Sequence, residues 1–147
     1  MIRYGLPFVF ILGCATGPLP QKALSVDQIR GKWIVVDVVC EDCQGRTPEE
    51  KGTVLEFNST RIDNPLFGNC DARPSYDFLA PVVPAALLRD VGSAWPATVK
   101  TDVAAAPSSL YGFVTCKGIN YAQMAFTSPA RGYYFAEGGV VLVLARR

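Results

Sequence analysis

Histidine is missing from all 147 residues. Its absence removes the commonest general base, the commonest zinc ligand and the usual partner of a serine or cysteine nucleophile. Concentrated charge is missing too. Fourteen Lys and Arg against 13 Asp and Glu leave a formal net charge of +1, and no basic run exceeds Arg146-Arg147. A nucleic-acid interface needs a clustered basic face, so no nucleic-acid partner is expected. No metal motif and no phosphate-cradling glycine loop is present. Glu49-Glu50 are adjacent carboxylates on a charged stretch, where solvation is the ordinary fate of such pairs. No catalytic residue, metal or cofactor is therefore expected.

What is present is globular in character. Half of the residues are hydrophobic and 18% are charged, which sets the chain apart from disordered sequences. Its length suits one domain and not two. Thirteen Gly and 11 Pro favour short elements joined by turns over long helices.

Residues 1–13 read as a signal peptide. Arg3 gives a positive start, and residues 4–12 (YGLPFVFIL) form an uncharged apolar run. As a helix that run covers only about 14 Å, too short for a hydrocarbon core of roughly 30 Å. It fits the apolar region of a secretory signal instead. The stretch Ile11-Leu12-Gly13-Cys14 resembles the lipobox of bacterial lipoproteins. That resemblance implies cleavage before Cys14 and lipid attachment to its sulfur, giving a membrane partner through the acyl chains. Residues 14–23 then form the lipidated cysteine and a Pro-containing tether. Ala15, not Asp, follows the cysteine, which by resemblance to envelope sorting rules implies an outer-membrane lipoprotein facing the periplasm.

With Cys14 set aside, Cys40, Cys43, Cys70 and Cys116 remain, an even number in an oxidising compartment. Two disulfides are expected, and three pairings are open. Competing readings are a four-cysteine zinc site and a redox Cys-x-x-Cys at Cys40 and Cys43. Zinc signatures carry two close pairs, whereas here the second pair is widely separated. Glu41 and Asp42 between the close pair disfavour a thiolate.

Residues 24–147 are expected to form one β-rich domain. Residues 24–30 read as a short helix, with Ser25 and Gln28 in capping-box spacing and Gly31 as its stop. Residues 32–39 (KWIVVDVV) and 53–57 (TVLEF) read as strands, with 60–62 pairing back. The middle is less regular. Residues 75–79 are extended or one helical turn, 85–90 are helix-compatible, and 92–109, rich in Gly, Ala, Ser and Pro, read as part of one long irregular excursion spanning 80–109. Residues 110–116, 121–127, 133–136 and 140–145 read as strands, with turns at Lys117-Gly118 and Gly138-Gly139. Strands at this spacing predict a mainly β fold, a small antiparallel barrel with a short N-terminal helix.

Two family resemblances bear on the barrel. Gly31-Lys32-Trp33 opening the first strand after a short helix, with an arginine ending the last strand, resembles the calycin group, which includes the lipocalins. There the Trp packs at the closed barrel end under the arginine, implying a structural pair of Trp33 with Arg146, or with Arg147. The Gly-x-Trp strand, an alternating strand ending near a cysteine and a Leu-rich last strand also resemble META-domain envelope proteins. The Gly-Cys-Asn signature frequent in those is here Gly68-Asn69-Cys70.

The expected function is a lipid-anchored, non-catalytic binding module for an envelope protein or a small apolar ligand. Tyr111, Phe113, Tyr121, Phe126, Tyr133, Tyr134 and Phe135 are either ligand-lining or simple core residues. The alternatives are an inhibitor of a hydrolase, either a lysozyme or a protease, and a structural accessory of an envelope assembly.

Overall fold

The computed structural model describes residues 24–41, 50–66, 68–79 and 82–147. Helix α1 (Val26–Ile29) leads into strand β1 (Gly31–Val39), followed by β2 (Val54–Phe57), β3 (Ile62–Asp63) and β4 (Ser75–Phe78). Helices α2 (Pro84–Asp90) and α3 (Ala97–Ala105) come next, with a 3-10 turn at Gly92–Ala94 between them. Strands β5 (Leu110–Cys116), β6 (Ile119–Ser128), β7 (Arg131–Phe135) and β8 (Val141–Arg146) complete the chain. The signal-like segment and the tether lie outside the described residues.

All eight strands form one antiparallel sheet in the order β3-β2-β1-β8-β7-β6-β5-β4. Two meanders, β1 to β3 and β4 to β8, are joined where the first strand pairs with the last. Trp33 faces Arg146 and Val39 faces Val141 in that ladder. The sheet curls into a half-barrel, so the mainly β expectation holds. A bulge between Val35 and Asp37 lets Val36 turn outward, and it stays 42% exposed.

The curled sheet is apolar on both faces. Its inner face packs Trp33, Leu55, Phe57, Met124, Phe126, Leu142 and Leu144 into one core. Its outer face packs Tyr111, Ala125, Tyr133, Val141 and Val143 beneath Leu87, Trp95, Val99 and Val103 of the helical layer. This explains the unbroken run of apolar residues in β8. Alternate residues enter different cores, and the strand has paired neighbours on both sides.

The helical layer bears out the helix-compatible stretch at 85–90 and corrects the remainder of the expected irregular excursion over 80–109, where 92–109 also holds regular helix. It is built of α2, the 3-10 turn and α3. Pro84 occupies the first helical position, where its missing N–H costs nothing. Val99 and Val103 stand one helical turn apart and are both buried on the sheet. Small and polar residues fill the rest of α3, so overall composition conceals this pair of anchors.

The edges β3 and β4 leave a seam, and three contacts tie its neighbourhood together. Cys70, which bridges to Ile62 of β3, is disulfide-bonded to Cys116 at the end of β5. The Tyr76 hydroxyl of β4 donates to the Asn58 carbonyl, just beyond β2, at 2.7 Å. Arg30, after α1, lies 5.3 Å over the Tyr76 ring.

Candidate functional site

Of the residues singled out in the sequence, Trp33 and Arg146 meet. The Arg146 guanidinium lies 5.1 Å from the centre of the Trp33 ring. It also donates to the Gln28 carbonyl at 3.2 Å, while the Trp33 indole N–H donates to the Ile29 carbonyl at 2.7 Å. Gly31, with φ at 125°, passes beneath the guanidinium, and a side chain there would come within 2.9 Å of Arg146 Nη2. With Trp33 fully buried, this cluster clamps α1 onto the sheet. Its role in the fold is architectural.

Of the three open cysteine pairings, the structure holds Cys70–Cys116. The pairings in which Cys40 and Cys43 each reach to one of those residues are thereby excluded. So is the four-cysteine zinc site, because two of its sulfurs are bonded to each other. Cys40 is itself in a disulfide, whose partner lies outside the described residues, as do Cys14 and Cys43. Among the described residues no cluster of three metal-ligating side chains occurs.

The aromatic set divides between the two cores. Phe126 and Tyr134 are inside the half-barrel with Tyr121 packed against them, and Phe126 lies 5.1 Å from Trp33. Tyr111, Phe113, Tyr133 and Phe135 belong to the outer core. The inner aromatics fill space between aliphatic neighbours, so these rings serve packing rather than lining an open interior.

Among the described residues, open concavities lie on the outer face. One groove, with a volume of about 190 Å³, runs between β1, α3, β7 and β8, walled by Val36, Val39, Val99 and Val143. Asp37, Thr98, Arg131 and Tyr133 supply its polar groups. Arg131 donates to Asp102 of α3 at 2.7 Å and to the Tyr133 hydroxyl at 3.2 Å. The Tyr133 hydroxyl in turn donates to Asp102. Burial raises the Asp102 pKa, but these two donors and the Arg131 charge outweigh it, leaving the carboxyl below its ordinary value. Asp37 is lowered mainly by its hydrogen bond from Lys51, at 2.7 Å. Burial pushes the Tyr133 hydroxyl up to about 12, reinforced by the hydrogen bond to Asp102. Near neutral pH these groups thus keep fixed protonation states. They suit recognition of charge, whereas proton transfer calls for a pKa close to the working pH.

A second groove, about 260 Å³, opens beside Trp95, Pro96, Phe135 and Val140. Trp95 stacks on Phe135 at 4.6 Å and meets Tyr111 at 5.9 Å. Gln123, which lines this groove, donates through its side-chain amide to the Tyr111 hydroxyl.

The remaining feature is a projection. Strands β5 and β6 are joined by Lys117 and Gly118, both with positive φ, 53° and 77°. That is the twist of a primed two-residue hairpin turn, which glycine adopts at no cost. Cys116, immediately before the turn, carries the disulfide to Cys70. Ile119, immediately after it, is 72% exposed, the highest among the large apolar residues described.

Sequence reasoning located the Lys117-Gly118 turn but not its brace or its exposed isoleucine. It missed Asp102, Arg131 and Tyr133 as a unit, because 29 residues separate Asp102 from Arg131 and no local spacing links them. No protein-family model, curated protein or solved structure matches the chain.

Proposed function

We propose that this protein is a lipid-anchored lipoprotein of the bacterial envelope whose domain is a non-catalytic binding module, and that it engages its partner through its outer surface. The observation that carries the second half is the packed interior. Trp33, Leu55, Phe57, Met124, Phe126 and Leu142 occupy the space where a barrel ligand would sit. This favours an envelope protein over a small apolar molecule as the partner.

The first half is supported by the lipobox-like stretch ending at Cys14 and by the disulfide chemistry of the domain. A Cys70–Cys116 bridge fits an oxidising compartment, which an exported protein reaches. Outer-membrane placement facing the periplasm follows from Ala15 by the sorting resemblance. The Trp33–Arg146 stacking favours the calycin-like reading over the META-like one, since that pair belongs to the former.

Intact-mass measurement of the native product tests the anchor. It should begin at Cys14 and carry fatty acyl chains, and a Cys14→Ser variant should carry none. Acylation of that variant would end the proposal of lipid attachment at this position. An environment-sensitive apolar dye should stay dark with the folded domain. Saturable one-to-one brightening would return the small apolar ligand to first place.

Inhibition of a hydrolase is the second reading, and one observation favours it. An inhibitor needs a projecting element that is held rigidly, and the disulfide-braced hairpin at Lys117-Gly118 is such an element.

A further inference from the structure

We propose that the outer groove between β1, α3, β7 and β8 binds a small zwitterion, a free α-amino acid with an aliphatic side chain. The site lies outside the packed interior and is separate from any surface that engages an envelope protein.

The groove is charged for a ligand that carries both signs. Among the described residues, two charged side chains line it, Asp37 and Arg131, and they are opposite in sign. Each is balanced by a counter-ion that does not line the groove, Lys51 for Asp37 at 2.7 Å and Asp102 for Arg131 at 2.7 Å. The four charges sum to zero, so a dipolar molecule is matched at both ends while a simple anion or cation meets one repelling group.

Strand register sets the two ends apart. Asp37 pairs with Val143, and Val143 pairs with Tyr133, so the three stand in one row across β1, β8 and β7. Asp37 and Tyr133 are therefore two strand spacings apart, about 9.5 Å at the backbone. Arg131, two residues from Tyr133 on the same face, is held to the Tyr133 hydroxyl. An apolar valine thus lies between the anion and the cation.

Arg131 is braced but unsaturated. Its Nε donates to Asp102 and to Tyr133, whereas its two terminal nitrogens make no hydrogen bond among the described residues. The side chain is 47% exposed. A guanidinium fixed in this way keeps a pair of donors aligned for a carboxylate. Asp37 is 54% exposed, and Lys51 occupies one of its oxygens. An ionised carboxylate accepts about four hydrogen bonds, so room for a second donor remains. An ammonium brings full charge and three donors to that position. The amide N–H of a polypeptide's last residue brings one donor and no charge, which selects a free amino acid over a chain end.

The walls select the side chain. Val36, Val39, Val99 and Val143 present apolar surface, and the bulge in β1 turns Val36 outward into the groove. The volume of about 190 Å³ falls below the roughly 300–1,000 Å³ of sites for drug-sized ligands, so a molecule of a few heavy atoms fits.

Isothermal titration of the full chain with L-valine tests the site. Saturable one-to-one binding with a Kd at or below about 1 mM is expected. 3-Methylbutanoate lacks the ammonium and 2-methylpropylamine lacks the carboxylate, and each should bind at least about tenfold more weakly. Asp37→Asn should weaken L-valine about tenfold and leave 3-methylbutanoate unchanged. Arg131→Gln should weaken both, and Val36→Ser should weaken L-valine but not glycine. Thermal unfolding of each variant reports on the fold; should Arg131→Gln melt early, the variants at exposed Asp37 and Val36 decide. Absence of saturation by L-valine up to about 10 mM overturns the site and leaves the envelope-protein reading standing. Binding that Asp37→Asn and Val36→Ser both leave unchanged lies elsewhere on the molecule and overturns it as well. N-acetyl-L-valine binding as tightly as L-valine overturns the free amino acid in favour of a chain end.

Discussion

Asp102 and Tyr133 show how single side chains decide the pH range of this domain. The Asp102 carboxyl is lowered on folding, so its contribution to stability is present above the ordinary carboxylate pKa of 3.8 and is lost as pH falls through the lower folded value. Tyr133 and Tyr76 run the other way. Burial pushes each up to about 12, so the stability linked to their neutral hydroxyls is complete below pH 10 and declines as pH rises through 12. Urea unfolding as a function of pH should therefore show losses at both extremes, and Asp102→Asn should flatten the acid limb. Arg146 makes a comparable prediction. Arg146→Met removes the cation over Trp33 and the bond to the Gln28 carbonyl, and should cost about 1–3 kcal/mol by urea denaturation. At this scale the sequence was readable where a resemblance pointed to a pair, as with Trp33 and Arg146. It was silent where tertiary structure alone brings groups together, as with Asp102, Arg131 and Tyr133.

At the level of elements, regular patterning decided what could be read. Strands β5 to β8 and the turns between them follow from alternation, β-branched residues and glycine pairs. The helical layer was harder because α3 carries only two apolar anchors among small and polar residues. Val99→Ala and Val103→Ala should each cost about 1.5–3 kcal/mol, the worth of burying a valine. Both should raise the exchange rate of α3 amide hydrogens before global unfolding, since the helix has few other holds on the sheet. Strand β8 poses the opposite problem. Its apolar run gives no face preference by itself, and only the presence of two cores explains why every residue from Val141 to Leu144 is buried.

Across the whole molecule, the seam near β3 and β4 is where covalent chemistry takes over from the hydrogen-bond ladder. The Cys70–Cys116 bond spans a sequence separation of 46. Replacing both cysteines by serine should lower stability by about 2–4 kcal/mol, measured from the shift in urea midpoint. The parity of the cysteines was visible in the sequence, but their partners were not, since pairing depends on how far the sheet curls. With Cys14 acylated as proposed, a free-thiol count on the unreduced protein should be zero. One more consequence lies in the pairing of β1 with β8. The first strand of the sheet receives one of its two neighbours from the last strand in chain order. A chain emerging in order thus lacks the piece that closes its central ladder until β8 is made, and such distant contacts form slowly. The first meander therefore stays half-paired until β8 closes on it, and the fold cannot be completed piecemeal.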